Sequence, residues 1–358
     1  MKAAVCYEFG QPLIIEEVVI DPPQAGEVKV KLAATAICHS DVHLIRGEWG
    51  GEVPVIAGHE SAGIVDAVGE GVTNVQPGDH VVVSLLRSCG RCFYCTTGAP
   101  YNCHGTFALD TQSRLRNAKG EKIHHGIRTA SFAEYAIVEQ TQCVKIADDI
   151  PLDCAALLAC GVITGLGAVT NTAKIAPRSS VAVIGVGGVG LNSIQGAALS
   201  GARLIIAVDL LDNKLTAART FGATHTVNAS QENAVTAVQT LSGGDGIDYA
   251  FVTVGNAAAV SQAFDMIRAG GSVVVVGLPK SSDTVALNIH RLIGERHVVG
   301  SPMGSTRLSV DVPRLVELYQ QGKLKLDELI TQRYPLAQIN KAIESMERGE
   351  ALRNVIMF

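Results

Sequence analysis

Val181-Ala-Val-Ile184, a run with no polar face, leads directly into Gly185-Val-Gly187-Gly188-Val-Gly190 and then into a helical segment from about Val189 to Ser200. A strand that is apolar on both sides must be covered on both sides, so this stretch predicts an inner strand of a parallel sheet flanked by helices. The alternation continues with Leu204 to Val208, a helix over Asn213 to Phe221, a short strand near Thr226-Val227, then Tyr249 to Val252 and Ser272 to Gly277. Glycines between strand and helix allow a tight turn, close approach of backbone to a pyrophosphate, and close packing of helix on strand. The helix N-terminus then faces the phosphates with positive potential. Asp209, at the end of the second strand, can accept the ribose hydroxyls of an adenosine and would repel a 2′-phosphate, so the expected cofactor is NAD rather than NADP.

Two groups of metal-ligating residues precede this region. Cys89-Gly-Arg-Cys92-Phe-Tyr-Cys95, followed by Cys103, gathers four thiols that can converge on one tetrahedral soft cation. Four thiolates leave no position for water or substrate, so a zinc here holds a loop together and does no chemistry. A pair of disulfides is the alternative. The second group is dispersed: Cys38-His39-Ser40-Asp41-Val42-His43, Gly58-His59-Glu60, and Cys160. One imidazole and two distant thiols would leave a fourth position open, as a Lewis-acid zinc requires. From spacing alone, a lone His59 is more often a hydrogen-bonded core or surface histidine and a lone Cys160 a small hydrophobe.

At 358 residues the chain is longer than one hydrophobic core usually organises, and two domains are expected. The first 150 residues read as β-rich: Val28 to Leu32, Gly63 to Val68 and His80 to Ser84 are separated by turn clusters such as Asp21-Pro-Pro and Gln76-Pro-Gly-Asp79. That spacing suits a partly open barrel. Amphipathic helices over Val312 to Gln320 and Ile339 to Arg348, and a strand over Asn354 to Met357, are expected to return to the first domain. The net charge of −5 argues against a nucleic-acid partner, and Cys154 to Val169, interrupted by glycines, is a poor membrane span. No export signal is visible, which places the expected compartment in the cytoplasm. Cys6, Cys143 and Cys154 read as buried thiols, His124-His125 as a solvated polar loop, and Arg114 to Lys122 as a solvated excursion.

Residues 38 to 43, Gly58-His-Glu60, the thiol quartet, Cys160-Gly-Val-Ile-Thr164 and Gly185 to Gly190 resemble, in order and spacing, the zinc-dependent medium-chain alcohol dehydrogenases. The likeness runs over essentially the whole chain, to the ending Leu352-Arg-Asn-Val-Ile-Met-Phe358. The resemblance implies a GroES-like, partly open β-barrel catalytic domain over 1–160, a doubly wound (Rossmann) coenzyme domain over 161–301, and a return to the catalytic domain over 302–358. It implies two zinc ions per subunit, the catalytic one on Cys38, His59 and Cys160, with Asp41 orienting His59 and Glu60 close to the metal. Ser40 and His43 would form a proton relay by way of the cofactor ribose. Thr164 and Val189 would position the nicotinamide, Lys214 would contact the adenosine ribose, and Arg353 would reach the pyrophosphate. His39 stands where many relatives carry arginine, so one pyrophosphate contact would be titratable. Ser40, Trp49, Leu85, Leu278 and Pro302 would line the pocket of a primary medium-chain or aromatic alcohol. The subgroup that oxidises the glutathione adduct of formaldehyde commonly has two acids before Gly58 and an aromatic residue at the place of His43; here Glu48 matches one acid and Gly50 stands at the other. That substrate is therefore not expected. A homodimer or homotetramer is.

Overall fold

The computed structural model describes all 358 residues as two compact units, Met1–Cys160 with Arg307–Phe358, and Gly161–Thr306. Residues 302–306, grouped from the sequence with the C-terminal return, lie in the second unit. Gly304 sits so close to the carbonyls of Ile163 and Thr164 that a Cβ would meet them at 2.2 and 2.8 Å, and the Thr306 hydroxyl donates to the Ile163 carbonyl at 3.2 Å.

The first unit is built on two sheets. One runs in the order Ile14–Glu17, Lys2–Cys6, Val55–Ile56, Lys122–His125, Leu115–Arg116, Val19–Ile20. The other runs Cys143–Lys145, His80–Ser84, Glu60–Val68, Glu27–Ala36, Arg353–Met357, Ile330–Pro335, with Tyr135–Glu139 also paired to Glu27–Ala36. Along Glu27–Ala36, Val28, Val30 and Leu32 are buried while Lys31 is exposed, the alternation that a half-covered strand imposes. The strand outlasts its expected end at Leu32. Ala33, Ala34 and Ala36 have little strand preference of their own, but Ala34 to Ala36 pair with Glu60–Ala62 on one side and Val355–Met357 on the other. In the helix Ile339–Glu347, Ile339, Ala342, Ile343 and Met346 recur at helical spacing and are buried in one cluster with Ala3 to Cys6 and Ile356. The helix expected from Val312 begins a turn earlier, at Leu308, with Pro313 inside it; Asp311 accepts the N–H of Arg307 at 2.8 Å and closes that first turn.

The second unit has a six-stranded, all-parallel sheet ordered His225–Asn228, Leu204–Asp209, Ser180–Ile184, Ile247–Val252, Ile267–Val275, His297–Gly300. In sequence order this is 3-2-1-4-5-6, the doubly wound arrangement, and Ser180–Ile184 is buried at every position. Its switch point lies between Ser180–Ile184 and Ile247–Val252, beside the glycine loop.

Two stretches read as solvated are so only in part: Arg116 and Ala118 to Lys122 are exposed as expected, but their neighbours are not. Arg114 is buried and makes a two-pronged ion pair with the equally buried Glu27, Nε to Oε2 at 2.9 Å and Nη2 to Oε1 at 2.7 Å. Leu115 and Asn117 are buried beside it. His124 and His125 form the end of the strand Lys122–His125 and are half-buried, with His125 Nδ1 cut off from solvent. Polar composition misled here because the charge is neutralised by a partner eighty-seven residues away in sequence.

Removing one member of a buried pair strands the other's charge, at a cost of roughly 3–5 kcal/mol. Arg114→Ala is expected to lower the urea midpoint strongly, and Arg114→Ala with Glu27→Gln to recover much of the loss. A single variant as stable as the native chain would show that the pair contributes nothing.

Candidate metal centres and dinucleotide loop

The helix His39–Ile45 begins at Cys38, with Asp41 as its third residue. Asp41 is fully buried and its carboxylate collects three donors: the Cys38 N–H at 3.1 Å, the Gly58 N–H at 2.9 Å, and His59 Nδ1 at 2.8 Å. Gly58 has φ +93, and a Cβ there would lie 2.6 Å from Phe132, so no other residue fits this turn. The turn aims His59 inward. Cys38, His59, Glu60 and Cys160, all buried, bring their ligand atoms within 4.8 Å of one another. Ser84, at the end of its strand, donates its hydroxyl to the Ala159 carbonyl at 2.6 Å and so tethers the segment that carries Cys160.

The polar atoms of this cluster are unbalanced as they stand. His59 Nε2 and Glu60 Oε1 are buried with no hydrogen-bond partner. The hydrogen bond from Cys160, followed by His59, holds the Cys38 thiol well below its usual value against the effect of burial, while the same bond and burial push Cys160 well above. Burial disfavours an imidazolium at His59, but Asp41 and Cys38 raise it. Burial drives Glu60 up to about 7, opposed by Arg353, with which it forms an ion pair through Oε2. A soft dication on two thiolates and Nε2 would satisfy the orphaned nitrogen and relieve the crowding of acidic groups. The residues fit a zinc ion.

Cys89, Cys92, Cys95 and Cys103 also bring their sulfurs within 4.8 Å of one another, and all nine cysteines of the chain are free. Backbone N–H groups of Cys89 and Gly105 donate to Cys103 Sγ at 3.3 Å each. The N–H of Cys95 brings Cys92 down to about 6, whereas burial and then Cys92 push Cys95 up to about 12. Thiols at hydrogen-bond distance resist joint ionisation unless a cation joins them, so this quartet fits a closed zinc site as well.

Around Cys38, Ser40 is half-buried and His39 exposed. His43 shares a hydrogen bond of 2.7 Å between Nδ1 and Glu48 Oε2, and the Trp49 ring lies 5.5 Å from its own. Sequence reasoning compared Glu48 only with an acid of other relatives and missed this contact; the spacing of five residues across a helix end was the available signal. Arg353 is buried on Glu60 rather than presented to solvent. Leu85 is half-buried and Trp49 44 % exposed.

Residues of the second unit are placed separately. The glycine loop enters the helix Gly188–Leu199, and a Cβ at Gly190 would lie 2.0 Å from the Gly185 carbonyl, whereas Gly187 faces open space. That is the cradle a pyrophosphate needs. Asp209 Oδ2 accepts the Val186 N–H at 2.7 Å, and Oδ1 accepts those of Leu210 at 2.8 Å and Leu211 at 3.1 Å. A carboxylate offers about four acceptor sites, so holding two ribose hydroxyls requires one local bond to yield, and the Leu211 contact is the longest. Lys214 is buried, and burial pulls its ammonium below the usual value against the pull of Asp209. Thr164 is buried with its hydroxyl 3.6 Å from Met303 Sδ, and a Cβ on Gly165 would meet the Val189 carbonyl at 2.1 Å. Leu278 and Pro302 are exposed.

Residues 24–148 match the model of the alcohol dehydrogenase GroES-like domain, and residues 188–321 that of the zinc-binding dehydrogenase family. The chain is 40 % identical over 366 residues to alcohol dehydrogenase class-3 of Pisum sativum, covering 99 % of this chain and 97 % of that one. It is 38 % identical over 368 residues to S-(hydroxymethyl)glutathione dehydrogenase of Saccharomyces cerevisiae, covering 99 % and 96 %. Among solved structures, benzyl alcohol dehydrogenase from Acinetobacter calcoaceticus superposes with a TM-score of 0.93 at 33 % identity, over 100 % of this chain and 99 % of that one. With its partly open barrel, its doubly wound sheet and both ligand sets in place, the chain belongs to the zinc-dependent medium-chain alcohol dehydrogenase family.

Proposed function

We propose that this oxidoreductase transfers hydride between a primary medium-chain or aromatic alcohol and NAD, with one catalytic and one structural zinc per chain. The observation that carries the reading is the buried cluster of Cys38, His59 and Cys160, whose one imidazole nitrogen has no partner among protein atoms. Zinc held there supplies a Lewis acid, and NAD supplies the hydride acceptor. The chain's own groups do the rest. Asp41 fixes the proton on His59 Nδ1 and leaves Nε2 as the ligand atom. Ser40 takes the proton of the substrate hydroxyl, and His43 Nε2 carries it onward while Glu48 holds the ring through Nδ1. Arg353 balances the charge of Glu60 beside the metal. Asp209 selects the unphosphorylated ribose. Lys214 beside it, the glycine loop, Thr164 and Val189 complete the second unit's cofactor contacts in this reading, while Arg353, held on Glu60, is not among them.

The outer edge of the parallel sheet, His297–Gly300, is unpaired and exposes Val298 and Val299, each 38 % accessible. An uncovered apolar edge supports assembly into a homodimer or homotetramer. Cys6, Cys143 and Cys154, which neither metal site uses, are free thiols and support a reducing compartment, the cytoplasm. No helix is long and apolar enough to cross a membrane.

Cys160→Ser and His59→Ala are expected to abolish turnover and remove one zinc per chain while the far-ultraviolet circular dichroism stays native. Cys95→Ser removes the other zinc and lowers thermal stability, since metal binding there is linked to loop order. A His59 variant with full zinc content and normal turnover would overturn the assignment.

For Asp209→Gly, the ratio of kcat/KM with NADP to that with NAD should rise at least tenfold, about 1.4 kcal/mol of differential binding. Efficiency with NAD should itself fall, because Val186 loses its acceptor. An unchanged ratio would place the adenosine elsewhere.

A second substrate reading follows from the yeast relative named for S-(hydroxymethyl)glutathione. Gly50 in place of an acid and His43 in place of an aromatic residue weigh against it, while the benzyl alcohol dehydrogenase neighbour favours an apolar or aromatic alcohol. Each buried methylene contributes roughly 0.8 kcal/mol, so kcat/KM should climb from ethanol to hexanol and benzyl alcohol. Higher efficiency with the glutathione adduct than with either would decide for the second reading.

A further inference from the structure

Apart from both thiol clusters, the first unit holds a cavity of about 130 Å³ whose walls include Arg87, Asp110, Thr111, Lys122, His125 and Arg128. Arg87 is buried, ion-paired with Asp110, and lies 4.3 Å over the centre of the Phe107 ring. Lys122 and Arg128 are exposed and therefore form the mouth. Three cations face one carboxylate, an excess of positive charge in a confined space. The neighbouring Arg114 does not add to it, being neutralised by Glu27, and Glu139 faces Arg87 from outside the lining.

Two further features shape the cavity wall. The Arg114 N–H donates to His125 Nε2 at 3.3 Å, which puts the proton of the neutral ring on Nδ1; burial pushes this imidazole down to about 4, so it is neutral near pH 7. Nδ1 is thus a donor with no partner, closed off from solvent behind the cavity wall, and the ring borders the cavity by its other atoms. The backbone that presents Arg128 is strained: Ile127 at φ 46, Arg128 at φ 64 and Ala130 at φ 55 are three non-glycine residues in the left-handed region within four positions. The turn is nevertheless pinned, since the Thr129 hydroxyl and the Ser131 N–H donate to the Gly58 carbonyl at 2.6 and 3.1 Å.

We propose that this cavity binds one small oxyanion, a phosphate or a carboxylate group, gripped by Arg87, Arg128 and Lys122 with the Thr111 hydroxyl as a further donor. The volume is below half of the roughly 300 Å³ at which ordinary ligand pockets begin, so the site takes a single anionic group and not a cofactor. Planar, forked guanidinium groups match the oxygens of either anion, and desolvated charge-assisted bonds supply the affinity.

The test uses the full-length, zinc-loaded protein and reads no turnover, so it stands or falls separately from the proposed reaction. Thermal midpoints are measured against inorganic phosphate, acetate and chloride at matched ionic strength. Phosphate or acetate is expected to raise the midpoint saturably by about 2 °C or more over chloride, and the better of the two identifies the anion as tetrahedral or planar. Arg128→Gln and Lys122→Gln, both at the mouth, should each weaken the apparent affinity at least tenfold while zinc content stays native. No rise over chloride with either anion would overturn the proposal. So would an equal rise in both variants. If Arg128→Gln instead released zinc from the thiol quartet without changing the anion response, the arginine would belong to that metal's charge balance and the cavity would not be an anion site.

Discussion

One buried carboxylate holds the first unit's site together. Asp41 has no access to water, and a carboxylate in that position is tolerated only when donors surround it. Its three donors come from two segments, Cys38 at a helix start and Gly58-His59 at the entry to a strand, so one side chain sets the direction of two candidate ligands at once. The rest follows from that joint. Glu60 leaves it as the first residue of the strand Glu60–Val68, which pairs with the central strand Glu27–Ala36 and through it with Arg353–Met357.

In the second unit a different constraint dominates, that of backbone packed on backbone. Gly190 against the Gly185 carbonyl and Gly165 against the Val189 carbonyl leave no space for a methyl group, and this closeness places the N-terminus of the helix Gly188–Leu199 beside the sheet's switch point. Asp209 adds a polar clasp, binding Val186 in the loop to the end of the neighbouring strand. A residue read as a ligand-recognition group is therefore also part of the loop's own scaffold. Its two roles draw on the same lone pairs.

Much of this was legible in the residues. Apolar runs marked Ser180–Ile184, Leu204–Asp209, Ile247–Val252 and the latter half of Ile267–Val275, because a strand covered on both faces carries no polar alternation; His225–Asn228 was read only from the short Thr226-Val227 stretch, and the edge strand His297–Gly300, exposed throughout, carried no mark. The thiol quartet was legible because its residues are close in sequence, while Cys38, His59 and Cys160, far apart, gave only a weak signal that the family resemblance carried further. Pairings that depend on distant chain segments left no local trace. Arg114 looked solvated because Glu27 is far away in sequence, and Ala33, Ala34 and Ala36 lacked a strand signature because their neighbours supply the reason for it. The start of the helix Leu308–Gln320 was hidden by Pro313, which reads locally as a first-turn residue.

The pairing of Glu60 with Arg353 also has a consequence for the order in which the chain is made. Cys38, His59, Glu60 and Cys160 all precede the second unit in sequence, and Arg353 follows it. A growing polypeptide therefore carries its complete set of metal-binding groups through the synthesis of an entire intervening unit before their counter-cation exists. Until the strand Arg353–Met357 docks, Glu60 lacks its guanidinium and the central strand lacks one neighbour. Closing of the site around Glu60 is thus a late event in the life of the molecule, since it waits on the last strand of the chain.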